Sequence, residues 1–231
     1  MTASEEPPMR IAPVFLVTIS LLVAASNVTA GAWPRAEGRV FISSAVRLFW
    51  PQDIDDWTSR KPSSQYYTFY AEYGLTERLT LGLDLGRSVS GDGKTVVFAR
   101  LPLRARDTGL RIAAELGLGV IDKEPVLRPG LSLGLGLKNG WLSAEGLSEI
   151  SRHTGAADHK LDLTWGWNLP QNRKFLLQMQ TGLPHGKKPF ARLASSIVLP
   201  VTPLVSAELG GTWDLTGSET FGVIMGVWSA F

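Results

Sequence analysis

Phe221-Gly222-Val223-Ile224-Met225-Gly226-Val227-Trp228-Ser229-Ala230-Phe231 closes the chain. Read in steps of two, it places Phe221, Val223, Met225, Val227, Ser229 and Phe231 on one face, and Gly222, Ile224, Gly226, Trp228 and Ala230 on the other. Successive side chains point to opposite sides of a β-strand, whereas a helix would scatter these residues around its axis, so the segment reads as a strand. One face is bulky and the other mostly small, so the two faces meet different surroundings.

The same grammar recurs upstream in blocks of about ten residues, the length at which a tilted strand crosses a bilayer. Leu79, Leu81, Leu83 and Leu85 share a face against Thr80, Gly82, Asp84 and Gly86. Ile112, Ala114, Leu116, Leu118 and Val120 oppose Arg111, Ala113, Glu115, Gly117 and Gly119, and residues 131–137 set leucines against Ser132, Gly134 and Gly136. Further blocks span 40–50, 66–74, 96–105, 141–150, 160–169, 174–181, 191–199 and 204–213, which with the terminal strand gives about 12. Merging or splitting a block would give 10 or 14. The connections alternate between short turns (74–77, 106–109, 138–140, 170–173, 200–203) and longer or more polar ones (51–64, 88–94, 122–127, 151–159, 184–189, 215–220). That alternation suits strands running up and down, with both termini at the end that carries the short turns.

At the amino terminus, Met9-Arg10 supplies a positive start, residues 11–25 an apolar run and Val28-Thr29-Ala30 a small-residue cleavage site. Residues 1–30 are therefore expected to be a cleaved signal peptide, with Met9 an alternative start, and 31–231 a single barrel domain. The apolar run of 15 is shorter than the roughly 18 residues of a spanning helix, and no later run is as long. Cleavage would take Arg10 from 23 basic side chains and Glu5 and Glu6 from 21 acidic ones, leaving a formal charge of +3. So small a charge gives no reason to expect a nucleic-acid partner. The absence of cysteine removes disulfides and thiolate metal sites from consideration.

A period-two segment ending on an aromatic residue resembles the closing strand of bacterial outer-membrane β-barrels, whose assembly machinery reads such a signal. The resemblance implies an all-β, transmembrane, antiparallel up-and-down barrel in the bacterial outer membrane. Phe221, Val223, Met225, Val227 and Phe231 would serve as the assembly signal, and lipids and the barrel assembly machinery would be partners. A soluble antiparallel barrel also alternates, but it buries its large apolar face and wets its charges. The signal segment, Phe231 and the scarcity of lysine on the strands favour the membrane reading. Trp50, Tyr73, Trp141, Trp167 and Trp213, near strand ends, are expected at the membrane interfaces.

The face opposite the apolar one carries Arg47, Glu72, Asp84, Arg100, Arg104, Glu115, Glu145, Glu149, Lys160, Asp162, Lys174, Arg192 and Glu208. Strands about 4.8 Å apart would let Arg100 lie between Asp84 and Glu115, and Lys160 or Asp162 meet Glu145 or Glu149. These charges either brace the wall or form a constriction that screens solutes. The expected activity is a narrow channel or binding lumen for small polar solutes. The alternatives are a closed structural barrel working with an envelope protein and a lipid-modifying enzyme. For the enzyme, His153, His159 and His185 are placed in loops, with Ser151 and Thr154 near His153, and no orienting third group is specified. No catalytic residue, cofactor or metal site is assigned. Gly117-Leu118-Gly119 and similar pairs have no strand-to-helix context and read as close-packed strand positions, not phosphate loops.

Overall fold

In the computed structural model, residues 31–57, 60–104 and 109–231 are described. The proposed signal peptide and most of the expected 106–109 turn lie outside them. Twelve strands form one closed barrel: β1 (Val40–Pro51), β2 (Ser64–Thr76), β3 (Leu79–Ser88), β4 (Gly93–Arg104), β5 (Leu110–Ile121), β6 (Glu124–Leu137), β7 (Gly140–Ser151), β8 (Ala157–Asn168), β9 (Lys174–Leu183), β10 (Phe190–Pro200), β11 (Val205–Thr216) and β12 (Thr220–Ala230). Each strand pairs antiparallel with its chain neighbours. The circle closes where β12 meets β1, with Phe41 opposite Ala230 and Trp50 opposite Phe221. The backbone of Val40 and Phe231 exchanges hydrogen bonds of 2.7 and 3.1 Å, so the last residue is tied to the first strand.

Alternation sorts the two faces. Outward residues include Leu81, Val97, Leu101, Leu116, Leu118, Leu131, Leu161, Leu163, Leu209 and Met225, a broad exposed apolar belt such as lipid-facing strands present. Aromatics flank it. At the end carrying the longer loops, Phe221 stacks with Trp50, Trp57 and Trp213 at 5.7, 5.9 and 6.3 Å. At the opposite end, which carries both termini, Trp165 stacks on Trp167 at 5.7 Å and Tyr73 is exposed. Trp141 departs from the expected interface position. It falls on the inward phase of β7 and is buried against Leu176 and Val198.

Two sequence boundaries also move. The expected external connection 122–127 is a two-residue turn, Asp122-Lys123, both at positive φ (47° and 72°). That left-handed pair matches the twist of a tight hairpin. As a result β6 begins at Glu124, several residues before its leucine-rich block, and Pro125 and Pro129 sit inside the strand. On β4 the register slips between Pro102 and Arg104. The bulge shifts Arg104 off the inner phase: it pairs with outward-facing Ile112 and lies exposed at the rim.

Candidate solute lumen

The inner phase carries the charge inside. Arg47, Glu72, Asp84, Arg100, Glu115, Glu145, Glu149, Lys160, Asp162, Lys174, Arg192 and Glu208 share the inward set of their strands with buried residues such as Phe49, Thr80, Thr164 and Thr212. They divide into two walls.

The wall from β2 to β6 is a chain of alternating charges. Arg35 Nε meets Glu72 Oε2 at 2.5 Å, Arg100 joins Glu72 to Glu115 (Nη2 to Oε2, 2.8 Å), and Arg128 joins Glu115 (3.1 Å) to Asp84 (2.6 Å). Lys94 ends the chain on Asp84 at 2.7 Å. The expected Asp84–Arg100–Glu115 bridge is thus replaced: Arg100 takes Glu72 in place of Asp84, and Asp84 belongs to Arg128 and Lys94. Tyr70 donates its hydroxyl proton to Glu72 Oε1 at 2.6 Å and accepts from Arg100 Nη2 at 3.1 Å. The Arg100 and Arg128 guanidiniums lie 5.0 and 5.6 Å from the Phe98 ring centre. Gly117 faces both Phe98 and Arg128 across its two ladders, so no side chain stands between them. Arg128 is 1 % exposed; an arginine there is held because both acids it touches, Glu115 and Asp84, are each bridged to a second cation.

Arg128, Lys94 and Asp214 are inner-face charges outside the expected set. Arg128 lay beyond the assumed start of its strand, although it keeps step with Ser132, Gly134 and Gly136. Lys94 is the last residue of the expected 88–94 connection, and Asp214 falls one residue past the expected end of its strand at 213.

The wall from β8 round to β1 is looser. Lys160 Nζ meets Glu149 at 2.6 Å, as the strand spacing predicted. Glu208 accepts hydrogen bonds from Ser196 Oγ and Trp228 Nε1, both at 2.8 Å. Gln178 donates to Thr164 at 3.1 Å. Near the loop end, Arg192 Nε meets Asp214 at 2.5 Å, and Thr220 donates to the same carboxylate through its N–H and hydroxyl (3.1 and 2.7 Å). Arg47 stands among Glu208, Asp162 and Arg192, yet none lies at ion-pair distance and its Nε has no hydrogen-bond partner among the described residues.

The segment before β1 enters this space. Arg35 N donates to Thr80 Oγ1 at 3.1 Å, and its guanidinium also lies 4.5 Å from the Phe41 ring centre. Trp33 packs into the buried cluster of Trp141, Leu176 and Val198. Glycine makes room for the crossing: a Cβ on Gly134 would lie 2.5 Å from the Trp33 ring, and one on Gly74 would lie 2.1 Å from the Ala36 carbonyl oxygen. Nothing in the alternation could have shown this, because the segment belongs to no strand.

The histidines lie away from the lumen. His153 Nδ1 is 3.1 Å from Glu124 in an exposed loop, and the His185 N–H donates to Asp158 at 2.7 Å. His159 corrects its expected loop position: it belongs to β8, points outward, and has Nδ1 2.9 Å from Ser148 Oγ.

This architecture is that of known outer-membrane porins. The chain is similar to the KdgM porin, also solved in complex with disordered oligogalacturonate (TM-score 0.63, 9 % identity, 82 % of this chain and 99 % of that one). It is equally similar to the NanC porin (0.63, 9 %, 80 % and 98 %). The COG4313 outer membrane channel of Pseudomonas putida F1 also shares the fold (0.59, 10 %, 88 % and 100 %). No family model and no curated protein sequence matches the chain.

Proposed function

We propose that the protein is an outer-membrane channel that passes or holds small polar solutes, delivered by a signal peptide cut before Gly31 and by a terminal strand read by the assembly machinery. The porin-like barrel supports the location, and the apolar belt with its aromatic rims supports contact with lipid. The observation that carries the solute reading is Arg47: the arginines of the wall from β2 to β6 are tied into ion pairs, though Arg100 and Arg128 each keep an unbonded Nε, while Arg47 on the other wall has no ion pair among the described residues. A solute bearing a carboxylate or several hydroxyls could pair with its guanidinium, a charge-assisted contact of the kind that orders anionic groups in a lumen. The KdgM porin in complex with oligogalacturonate is an instance of this fold with an acidic saccharide.

Single-channel recording in planar bilayers, with solute uptake into liposomes, tests the reading. Discrete conductance steps support it; their absence together with absent uptake would leave the closed structural barrel. Ser148 and His159 do not make a stronger case for an enzyme. No carboxylate orients the ring's other nitrogen among the described residues, and an unoriented pair lacks the third element of nucleophilic catalysis.

A further inference from the structure

The segment ahead of β1 crosses the whole barrel. Counting round the closed sheet, β7 is six strands from β1 in either direction, directly opposite. The chain turns inward at Gly38, whose N–H donates to the Gly74 carbonyl at 2.8 Å on neighbouring β2. It then passes Thr80 and Glu72 through Arg35, seats Trp33 on the apolar cluster, and ends with Gly31 N donating to Glu145 Oε1 on β7 at 3.0 Å.

Glu145 is the odd member of the inner face. It sits directly across from Asp162 on β8, and carboxylates in that position repel. Among the described residues, no lysine or arginine is at ion-pair distance from either, and Gly31 N is the one hydrogen-bond donor to Glu145. A carboxylate withdrawn from water without a counter-charge is costly. The space around the tip is also specific. A Cβ on Gly31 would come to 3.0 Å from both Glu145 Oε2 and Ser132 Oγ, tighter than ordinary contact, so a side chain there would have to push these two groups aside.

We propose that Glu145 is the binding site for the free α-amino group of Gly31, and that the bound segment from Gly31 to Gly38 is a strap closing the terminal end of the lumen. Hydrolysis of the Ala30–Gly31 peptide bond by water leaves a carboxylate on Ala30 and an ammonium on Gly31. The amide contact then becomes the ion pair that the Glu145–Asp162 pair lacks. Processing therefore supplies the cation that locks the strap, while Trp33 supplies the apolar stop. The inference rests on the channel reading for its consequence, and on cleavage before Gly31 for its chemistry.

The test uses protein exported and isolated from outer membranes, with heat-modifiable gel migration selecting folded material for every variant. Mass spectrometry of the intact chain should give Gly31 as the first residue; a different first residue overturns the ammonium site. Labelling with an amine-directed reagent near pH 7 favours an α-amine, of ordinary pKa about 8, over lysine at about 10.4. Gly31 should be labelled about tenfold more slowly in the wild type than in Glu145→Gln, in proportion to the loss of its ion pair; equal rates overturn the site. Removal of residues 31–36, and separately Trp33→Ala, should raise single-channel conductance about twofold or more by opening the constriction. Unchanged conductance in both, with the wild type conducting, overturns the strap as a stop. If no form conducts, the channel reading fails, and the labelling comparison still decides the amine site.

Discussion

The wall from β2 to β6 and the wall from β8 round to β1 are built from similar residue types, yet they treat charge differently. In the first, Glu72, Arg100, Glu115, Arg128 and Asp84 hand one contact to the next, with Arg35 and Lys94 at the ends. In the second, pairs are isolated: Lys160 with Glu149, Arg192 with Asp214, and Arg47 with no ion pair among the described residues. The difference comes from register. On β4 and β5 Arg100 faces Glu115 directly, and on β5 and β6 Glu115 faces Gly130 while Arg128 faces Gly117, so these long side chains can lie across the wall and reach one another. Across β7 and β8 the ladder sets Glu145 against Asp162, where direct pairing cannot work. One wall is consequently cross-braced, while the other keeps its charges in separate contacts.

That contrast can be broken most severely at Arg128. Arg128→Ala strips a bridging cation from Glu115 and Asp84 in the buried wall, and should lower stability by about 3–5 kcal/mol, the cost of orphaning buried charge. Urea unfolding in lipid vesicles, followed by tryptophan fluorescence, measures it; a loss below that of a surface pair would show that the wall is wetter than its burial implies. Arg192→Ala on the other wall should cost less, about 1–3 kcal/mol, because Thr220 continues to bond Asp214 through two donors. The same unfolding assay ranks the two.

Arg47→Glu tests the open wall by function. Set beside Glu208 and Asp162, the new carboxylate should cost about 1–3 kcal/mol, still less than Arg128→Ala. It should nevertheless shift ion preference toward cations, read as a change in reversal potential across a salt gradient. A stability loss matching that of Arg128→Ala, with the reversal potential unmoved, would make Arg47 another brace. The smallest effect is expected at Lys160. Its side chain is 38 % exposed while that of Glu149 is 5 % exposed, and a glutamine amide can still donate to the buried carboxylate, so Lys160→Gln should cost about 1 kcal/mol.

Much of this was legible in the chain because a strand writes its two faces with a period of two. The strand number, the closure of residues 221–231 onto 40–50, the outward leucines and most inner charges follow from that period. Errors gathered where it is interrupted. Asp122 and Lys123 adopt left-handed turn geometry that no Gly or Asn announces, so periodicity alone starts β6 too late and misses Arg128. One bulge sends Arg104 to the other phase. Trp141 reads equally well as an interface aromatic and as a lumen aromatic, since phase alone does not say what lies on each side. Partner choice was less legible still. Arg100 could reach Asp84, Glu72 or Glu115 from the spacing of strands, and only the register and the presence of Arg128 assign them.

By itself the sequence determined that this chain alternates, roughly how many times it crosses, and which residues share a face, because those properties are local and repeat every two residues. Tertiary structure decided what the faces enclose. The closed sheet brings Gly31 opposite its own first strand and against Glu145, 114 positions away, a contact between a segment without periodicity and a carboxylate that neighbouring strands leave without a counter-charge. Such a contact depends on the curvature and closure of the whole barrel, and no stretch of local sequence encodes it.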